Sequence, residues 1–354
     1  MSLGLHVYKE LDDYTLNVQF DAERGKTLAL LGAGGSGKSA ALRCIAGFET
    51  PDRGRIVLHD SVLFDSAKRV NLPPQRRRVG YLHRHYALFS RMTAEENLYA
   101  AVSQLSKPEQ TEAVEEKLEA FRLTDVVKKR PARLTNAQRL RLALARLMLT
   151  APEALLLDDP FHELDEHLKW QTELELNELL RGYPGCVILA TDDRGTVARL
   201  CAEACVLTDG HSEETMTVRD LMAQPLSVSA AALSGCKNFS RVKRIDASHV
   251  QCLNWGVTLE TTQRVNNVCT YAGIRDRALH IARSGEPNRF DARVVRVIED
   301  VFSVILLLAP EGGNALLRME LSRDEYTALR RPDVVLLGVE PKHVMTLTGE
   351  LEDA

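Results

Sequence analysis

The chain lacks several features that would place it in common functional classes. Its 354 residues carry a formal net charge of −4, so there is no basic excess to attract the phosphate backbone of a nucleic acid. No apolar run is long enough to span a bilayer, and the first residues lack the charged and apolar regions of a signal peptide. The sequence therefore predicts a protein that stays in the cytoplasm and does not bind nucleic acid.

Closely paired cysteines are also scarce. Of the seven cysteines, Cys201 and Cys205 come closest to a metal-type spacing, because they lie one helical turn apart or on either side of a helix end. Two thiols alone make a poor metal site. Packing is therefore the better interpretation of this pair.

The strongest functional signal is a glycine-rich segment with the Walker A pattern, which consists of Gly32, Ala33, Gly34, Gly35, Ser36, Gly37, Lys38 and Ser39. The apolar run 27–31 before it predicts a buried parallel strand, and residues 39–46 after it predict a helix. The backbone N–H groups of such a loop, with the positive end of the helix dipole, bind phosphate oxygens. A chance glycine-rich turn is the alternative, but strand, loop and helix fall where the motif needs them. We expect Lys38 to reach the terminal phosphates of a nucleotide and Ser39 to ligate Mg²⁺.

A second apolar run, 154–157, ends in two carboxylates, Asp158 and Asp159, followed by Pro160. A strand of this kind places an acid beside Mg²⁺ at the carboxyl edge of a parallel sheet. On its own an Asp-Pro pair would indicate a turn. Together with the phosphate loop, it predicts that Asp158 lies on the magnesium side of an ATP site.

These motifs occur in order with further segments, at 72–82, 86–89, 92–97, 139–146 and 161–165. In that order they resemble the ATP-binding subunit of an ABC importer, most similar to the molybdate and sulfate class. The resemblance runs over nearly the whole chain. It implies an α/β P-loop NTPase fold of the ABC type, in which two subunits pair head to tail. Each ATP then lies between the phosphate loop of one subunit and the signature motif of the other.

The resemblance also implies a function and its partners. The chain would be a peripheral subunit at the cytoplasmic face of the cell membrane, coupling ATP binding and hydrolysis to the import of an oxyanion such as molybdate or sulfate. Its partners would be a second copy of itself or a related ATP-binding subunit, the membrane permease subunits and, indirectly, a substrate-binding protein. The alternative is a regulatory or scaffold subunit that dimerises around ATP without appreciable hydrolysis.

Two of the family's catalytic positions carry residues of different chemistry. The Q-loop glutamine falls at Arg84, whose guanidinium only donates hydrogen bonds and cannot ligate Mg²⁺. It would either clamp a phosphate oxygen or lie solvated on a surface loop. The switch histidine falls at Asp192, and an ionised aspartate repels the terminal phosphate. One hypothesis joins the two changes: Arg84 and Asp192 pair with each other near that phosphate.

The catalytic glutamate and the signature motif are altered as well. Asp159 replaces the glutamate, and the lost methylene draws the carboxylate back by roughly 1.5 Å, where misplacement of about 1 Å can cost about a hundredfold in rate. The signature LSGGQ reads Leu134, Thr135, Asn136, Ala137 and Gln138. Thr135 keeps a hydroxyl for the opposite nucleotide, whereas Asn136 and Ala137 add Cβ atoms where backbone N–H groups must approach phosphate. We therefore predict impaired hydrolysis and weakened closure on ATP.

An intact partner subunit would leave neither composite site of a dimer wholly intact, because the departures lie on both faces of the chain. One site would combine Asp159 and Asp192 with the partner's intact signature. The other would combine the partner's intact catalytic residues with residues 134–138, and it would be the less damaged of the two. The adenine side is less specified: Tyr14 or Tyr8 would stack on the base, or pack in the core or at the surface.

A chain of this length exceeds a single ordinary core and suits two or three domains. Residues 1–228 would form the ATP-binding domain, with a helical subdomain at about 95–150. Short β-type runs dominate residues 229–354. This segment resembles a small all-β OB-like (TOBE-like) domain, built either as one unit or as two repeats at about 229–285 and 290–350. Arg275 and Lys237 are candidate anion contacts there, with barrel-edge or surface roles as the alternative.

Overall fold

The computed structural model describes residues 3–283, 285–329 and 333–350. The chain divides into two compact units, Met1–Val218 and Arg219–Ala354. Met1 and Ser2, which belong to the N-terminal segment considered above, lie outside the described residues. Within the described ranges, every helix falls short of the length and apolarity that a bilayer crossing requires.

The strands of the first unit join into one sheet. In chain order they are β1 (Leu3–Glu10), β2 (Thr15–Ala22), β3 (Thr27–Leu31), β4 (Arg53–Leu58), β5 (Ser61–Asp65), β6 (Val70–Asn71), β7 (Val79–Leu82), β8 (Ala154–Asp158), β9 (Cys186–Thr191), β10 (Glu203–Thr208), β11 (His211–Ser212) and β12 (Met216–Thr217). Their spatial order is β6-β5-β4-β1-β2-β11-β10-β3-β9-β8-β7, with β12 beside β10. The part β10-β3-β9-β8-β7 is parallel. The carboxyl ends of β3, β7, β8 and β9 therefore meet at one edge, where a ligand site is expected.

The helices of this unit cover the parallel strands and extend into the segment between β7 and β8. They are α1 (Lys38–Ala46), α2 (Ala94–Ala101), α3 (Lys107–Ala120), α4 (Asn136–Met148), α5 (Glu166–Leu180) and α6 (Arg194–Leu200). Short 3₁₀ turns occupy Pro74–Arg76, Thr124–Val126 and Pro131–Arg133. Capping boxes begin α2, α3 and α4, because a Thr or Ser followed three residues later by Glu or Gln satisfies the first backbone N–H groups of a helix.

Two apolar cores flank the parallel strands. One lies with α1 and the antiparallel strands and includes Leu30, Leu42, Ile45 and Leu156. The other joins α2, α3 and α4 to the opposite face of the sheet through side chains such as Leu155. Strands β8 and β9 are buried along their whole length, as expected for parallel strands covered on both faces.

A buried arginine closes the C-terminal end of the phosphate-loop helix. Arg77 is 1% exposed, and its guanidinium donates to the carbonyl oxygens of Cys44 at 2.7 Å, Ile45 at 2.9 Å and Leu72 at 2.7 Å. It satisfies carbonyls that the helix end leaves without partners, and its positive charge faces the negative end of the helix dipole. Gly47 ends α1 with a φ of +84°, and a Cβ there would lie 2.5 Å from the Arg77 Nε.

The second unit contains two five-stranded sheets. Its strands are β13 (Asn238–Arg244), β14 (His249–Cys252), β15 (Val257–Glu260), β16 (Tyr271–Ile274), β17 (Leu279–Ile281), β18 (Arg289–Glu299), β19 (Ser303–Pro310), β20 (Leu317–Ser322), β21 (Val334–Val339) and β22 (Met345–Leu347), with α8 (Val228–Leu233), α9 (Arg323–Ala328) and, at the junction of the units, α7 (Val218–Ala223). The sheet orders are β15-β14-β13-β16-β22 and β17-β21-β18-β19-β20. The final strand therefore pairs back to the first sheet, while β17 joins the second. The division into successive repeats stays a prediction, as do the domain limits.

Candidate nucleotide-binding site

The phosphate loop lies between β3 and α1, as its sequence predicts. Gly35 and Gly37 have φ angles of +84° and +100°, a backbone region that glycine adopts without strain. The Lys38 ammonium donates to the carbonyl oxygens of Gly32 and Ala33, both at 2.8 Å, so the side chain folds over the loop. Burial lowers the pKa of Lys38, while nearby carboxylates, Asp192 foremost, oppose that shift. The Lys38 ammonium is therefore already held at the loop, where it would contact the terminal phosphates of a bound nucleotide.

The Ser39 hydroxyl oxygen and an Asp158 carboxylate oxygen lie next to each other beside the phosphate loop. The Ser39 hydroxyl donates to Asp158 Oδ1 at 2.8 Å, although the two residues are far apart in the chain. The Tyr81 hydroxyl donates to Asp158 Oδ2, also at 2.8 Å, and fixes the orientation of that carboxylate. Hydroxyl and carboxylate oxygens are ligands that Mg²⁺ prefers. Ser39 and Asp158 are thus chemically suited to hold Mg²⁺ between the loop and β8.

Of the two tyrosines considered for the adenine side, Tyr14 lies near the phosphate loop. Its ring comes within 3.3 Å of the position that a Cβ on Gly37 would take. Tyr8 instead lies under the Arg53 guanidinium, 4.4 Å from its ring centroid. Burial raises the pKa of Tyr14. Position therefore favours Tyr14, and its contact with adenine stays a prediction.

Asp159, the residue in the catalytic-glutamate position, has an unusual local geometry. Its φ is +45°, a conformation that non-glycine residues adopt rarely, and its N–H donates to Ala190 O at 2.9 Å. Burial raises the pKa of Asp159, and the Asp192 carboxylate adds to this, while Arg84 and His162 act in the opposite direction. The carboxylate is therefore partly buried next to another negative charge.

Arg84 pairs with Asp159, so the hypothesis of an Arg84–Asp192 pair is wrong for this conformation. Arg84 Nη2 lies 3.5 Å from Asp159 Oδ2, and within the described residues no ion pair joins Arg84 to Asp192. Asp159 follows β8 directly. Asp192 is exposed at the end of β9. The altered Q-loop position thus contacts the altered catalytic position.

The signature segment begins α4. Thr135 is its N-cap: its hydroxyl accepts from Gln138 N at 3.2 Å, and Gln138 Oε1 accepts from Thr135 N at 3.0 Å. Asn136, at a signature glycine position, donates through its side chain to Glu163 O at 2.6 Å. The added side chain therefore joins the signature helix to the loop after β8. Ala137 adds a Cβ at the other signature glycine position.

Three further contacts fix the loop after β7 to its neighbours. The Tyr86 hydroxyl donates to Pro160 O at 3.0 Å, although both Tyr86 and Ala87 have positive φ angles. Arg146 of α4 donates to Ala87 O at 2.7 Å and lies over the Phe89 ring, 4.9 Å from its centroid. The loop that carries Arg84 is therefore fixed to α4 and to the Asp158-Asp159-Pro160 turn.

Sequence reasoning missed the residue that follows the switch position. The Asp193 side chain accepts from Gly195 N at 2.6 Å and pairs with Lys169. Burial alone would raise the pKa of Asp193, but the Lys169 hydrogen bond and the Gly195 N–H hold it at about 2. Its position just before α6 was the signal available in the sequence, since Asp is a preferred N-cap residue.

Comparison with known proteins assigns the chain to a family. The family model described as ABC transporter matches residues 15–162, which include the phosphate loop and Asp159. An Fe(3+) ions import ATP-binding protein of Haemophilus influenzae is 32% identical over 238 residues, 67% of this chain and 67% of that protein. A spermidine/putrescine import ATP-binding protein of Bacillus cereus is 33% identical over 223 residues, 62% of this chain. The chain covers 66% of the length of that second relative.

One longer alignment reaches into the second unit. A sulfate/thiosulfate import ATP-binding protein of Bacillus cereus is 29% identical over 344 residues, 94% of each chain. Among solved structures, a dimeric post-hydrolysis ATP-binding cassette bound to ADP and Pi has a TM-score of 0.53 and 22% identity, covering 62% of this chain and 99% of its own. An ABC transporter component from Clostridium perfringens reaches 0.56 with 23% identity, covering 62% and 90%.

These likenesses confirm the predicted fold class, an ABC-type P-loop NTPase followed by a small all-β unit. The relatives named above are import ATP-binding proteins. The chain belongs to the ABC transporter ATP-binding family.

Proposed function

We propose that this chain is the ATP-binding subunit of an importer that binds Mg²⁺-ATP and hydrolyses it slowly. The observation that carries the binding half is the Ser39–Asp158 hydrogen bond of 2.8 Å beside the Lys38 ammonium. A bound Mg²⁺ would neutralise charge on the phosphates. Residues 32–39 would hold the phosphates through backbone N–H groups, and Tyr14 would stack on adenine.

Slow hydrolysis is supported by the charges around the expected terminal phosphate. Three carboxylates, of Asp158, Asp159 and Asp192, influence the pKa of Lys38, and one of them already pairs with Arg84. A general base must lie within hydrogen-bond reach of the attacking water. Asp159 is shorter than a glutamate and is engaged by a guanidinium, and Asp192 would repel the phosphate rather than donate to it.

We propose an oxyanion, of the sulfate or molybdate kind, as the cargo. The support is the sulfate/thiosulfate relative, whose alignment extends over 94% of this chain and so includes most of the β-rich unit. The spermidine and Fe(3+) relatives align over 62% and 67% of the chain. The choice between molybdate and sulfate would be made by the permease and a substrate-binding protein, which select the cargo.

The proposed assembly is a head-to-tail dimer at the cytoplasmic face of the cell membrane. The dimeric cassette structures support pairing of two such chains. Membrane permease subunits would receive the conformational change, and Thr135, Asn136, Ala137 and Gln138 would face the nucleotide of the opposite subunit. The partner would be a second copy or a related ATP-binding subunit, and with either one both composite sites would retain an altered residue.

A second candidate function is a regulatory or scaffold subunit that dimerises around ATP without appreciable turnover. The Arg84–Asp159 pair favours it, because the guanidinium lies 3.5 Å from the carboxylate oxygen that would otherwise activate the attacking water.

An uptake assay separates the two functions. Cells lacking the chromosomal copy of this gene would be supplied with the wild-type chain, with Lys38→Ala, or with Lys26→Ala, a surface lysine paired with Glu23 and Glu203. We expect radiolabelled sulfate or molybdate uptake with wild type and Lys26→Ala, and none with Lys38→Ala. Uptake that persists with Lys38→Ala, together with no phosphate release from the purified wild-type protein, would exclude the importer role.

A further inference from the structure

Three side chains that the nucleotide site does not use converge beside it. His85 lies on the loop after β7, and His162 and Glu163 lie on the loop after β8. One ligand atom from each falls within 4.8 Å of the other two. His85 Nδ1 lies 3.1 Å from Glu163 Oε1, and His162 Nε2 lies 3.8 Å from the same oxygen.

These separations suit a metal ion. Ligand atoms bound tetrahedrally at about 2.0–2.1 Å lie roughly 3.3 Å apart, between the two distances to the Glu163 oxygen. Two imidazoles and one carboxylate suit zinc and other first-row transition ions, whereas Mg²⁺ and Ca²⁺ prefer oxygen ligands. The donor set therefore differs in kind from the Ser39–Asp158 pair.

The His162 ring has one nitrogen beside Glu163 and one that is buried. Its side chain is 15% exposed, and its Nδ1 is buried without a hydrogen-bond partner. A buried polar atom without a partner is uncommon and indicates a missing water or ion. Nε2, the other ring nitrogen, is the atom that lies 3.8 Å from the Glu163 oxygen.

The backbone that carries these ligands is well supported. The Tyr86 hydroxyl bridges the two loops through Pro160 O at 3.0 Å, next to His85 in sequence. Asn136 holds Glu163 O at 2.6 Å. The His85 and His162 rings meet edge to face, with centroids 5.4 Å apart. Ligands held on fixed backbone lose less entropy when an ion binds.

We propose that His85, His162 and Glu163 form a binding site for one divalent first-row transition ion, with zinc the best match. Three protein ligands leave a fourth position for water. The ion would join the Arg84-bearing loop to the loop that follows Asp159.

Metal binding to the purified full-length chain tests the site. The metal-free protein would be titrated with Zn²⁺ in a calorimeter and with Co²⁺ by visible absorption, which reports tetrahedral coordination. The variants are His85→Gln, His162→Gln and Glu163→Gln. The matched control is His249→Gln, which removes a histidine that also lies beside a carboxylate, Asp246, at 3.0 Å.

We expect one zinc ion per chain in wild type and in His249→Gln, and an affinity lowered by more than about tenfold in each of the three ligand variants. Tetrahedral cobalt absorption should disappear with them. Fluorescent ATP binding, measured on the same samples, shows that each variant is folded. Wild-type protein that binds no equivalent of zinc, or ligand variants with wild-type affinity, would overturn the proposal.

Discussion

The nucleotide site has a binding side and a hydrolysis side, and the side chains of the two sides differ in the contacts that they make. On the binding side, Lys38, Ser39 and Asp158 make hydrogen bonds of 2.8 Å to groups that a phosphate or Mg²⁺ would replace or join. On the hydrolysis side, Arg84 pairs with Asp159 at 3.5 Å, and Asp192 contributes a second nearby negative charge. The difference indicates that binding and hydrolysis are separable in this chain. Substitutions should therefore affect them independently.

The largest expected effect is on the free energy of unfolding, at the buried arginine that contacts the end of the phosphate-loop helix. Arg77→Met removes a buried guanidinium and leaves the carbonyls of Cys44, Ile45 and Leu72 without their donor. We expect the free energy of unfolding of the first unit to fall by about 3 kcal/mol. Urea denaturation measures it. Arg76→Met is the control, because Arg76 is exposed and its loss should stay within about 0.5 kcal/mol; equal losses would refute the role of Arg77.

Lys38→Ala tests the binding side itself. Its ammonium is the charge-assisted donor expected for the terminal phosphates. We expect the free energy of ATP binding to weaken by about 2 kcal/mol, or roughly 30-fold in Kd, in calorimetry with Mg²⁺-ATP. Lys26→Ala should bind ATP as wild type does. If both variants bind equally well, the phosphate loop is not the nucleotide site.

Asp193→Asn and Asp159→Asn should change stability in opposite directions. Asp193 has a pKa of about 2, so its ionised form stabilises the fold above about pH 4, and this contribution is lost as pH falls towards 2. With allowance for its partial exposure, Asp193→Asn should cost about 1–2 kcal/mol at neutral pH. The pKa of Asp159 is raised, so its charge penalises the fold at neutral pH, and Asp159→Asn should stabilise slightly there.

Denaturation measured from neutral pH down to about pH 2 compares the two variants. The deficit of Asp193→Asn should shrink below about pH 4, and the gain of Asp159→Asn should vanish as Asp159 becomes protonated in the wild-type protein. A stabilised Asp193→Asn would contradict the environment assigned to that carboxylate.

The smallest stability effect is expected for Arg84→Gln. Its side chain is 54% exposed, and exposed ion pairs contribute less than about 1 kcal/mol. Chemical denaturation should therefore hardly distinguish it from wild type. Loss of the guanidinium should nevertheless raise the pKa of Asp159 further, which nuclear magnetic resonance of the carboxyl carbon can follow. An unchanged titration of Asp159 would show that the pair does not form in solution.

The phosphate loop could be predicted from sequence because its signals are local. Glycine spacing, the preceding apolar strand and the following helix all lie within a short segment. Likewise, Thr135 followed by Gln138 has the capping-box pattern that begins α4. In both places the chemistry and the backbone requirement fall on the same few residues.

The partners of long-range contacts could not be predicted in this way. Residues 76–78 are all arginines, yet Arg77 is buried and its two neighbours are exposed. Arg84 was expected near Asp192, but its guanidinium lies 3.5 Å from the Asp159 carboxylate. The return of β22 to the first sheet of the second unit, and the His85–His162–Glu163 cluster, likewise depend on distant segments meeting.

Steady-state phosphate release at saturating Mg²⁺-ATP tests the separation of binding from hydrolysis most directly. The wild-type protein would be compared with the triple variant Arg84→Gln, Asp159→Glu, Asp192→His, and the ATP affinity of both would be measured on the same preparations. We predict similar affinities and a triple variant that is at least about tenfold faster, because a longer base and a donor to the phosphate are regained. A wild-type rate equal to that of the triple variant, at equal affinity, would contradict it.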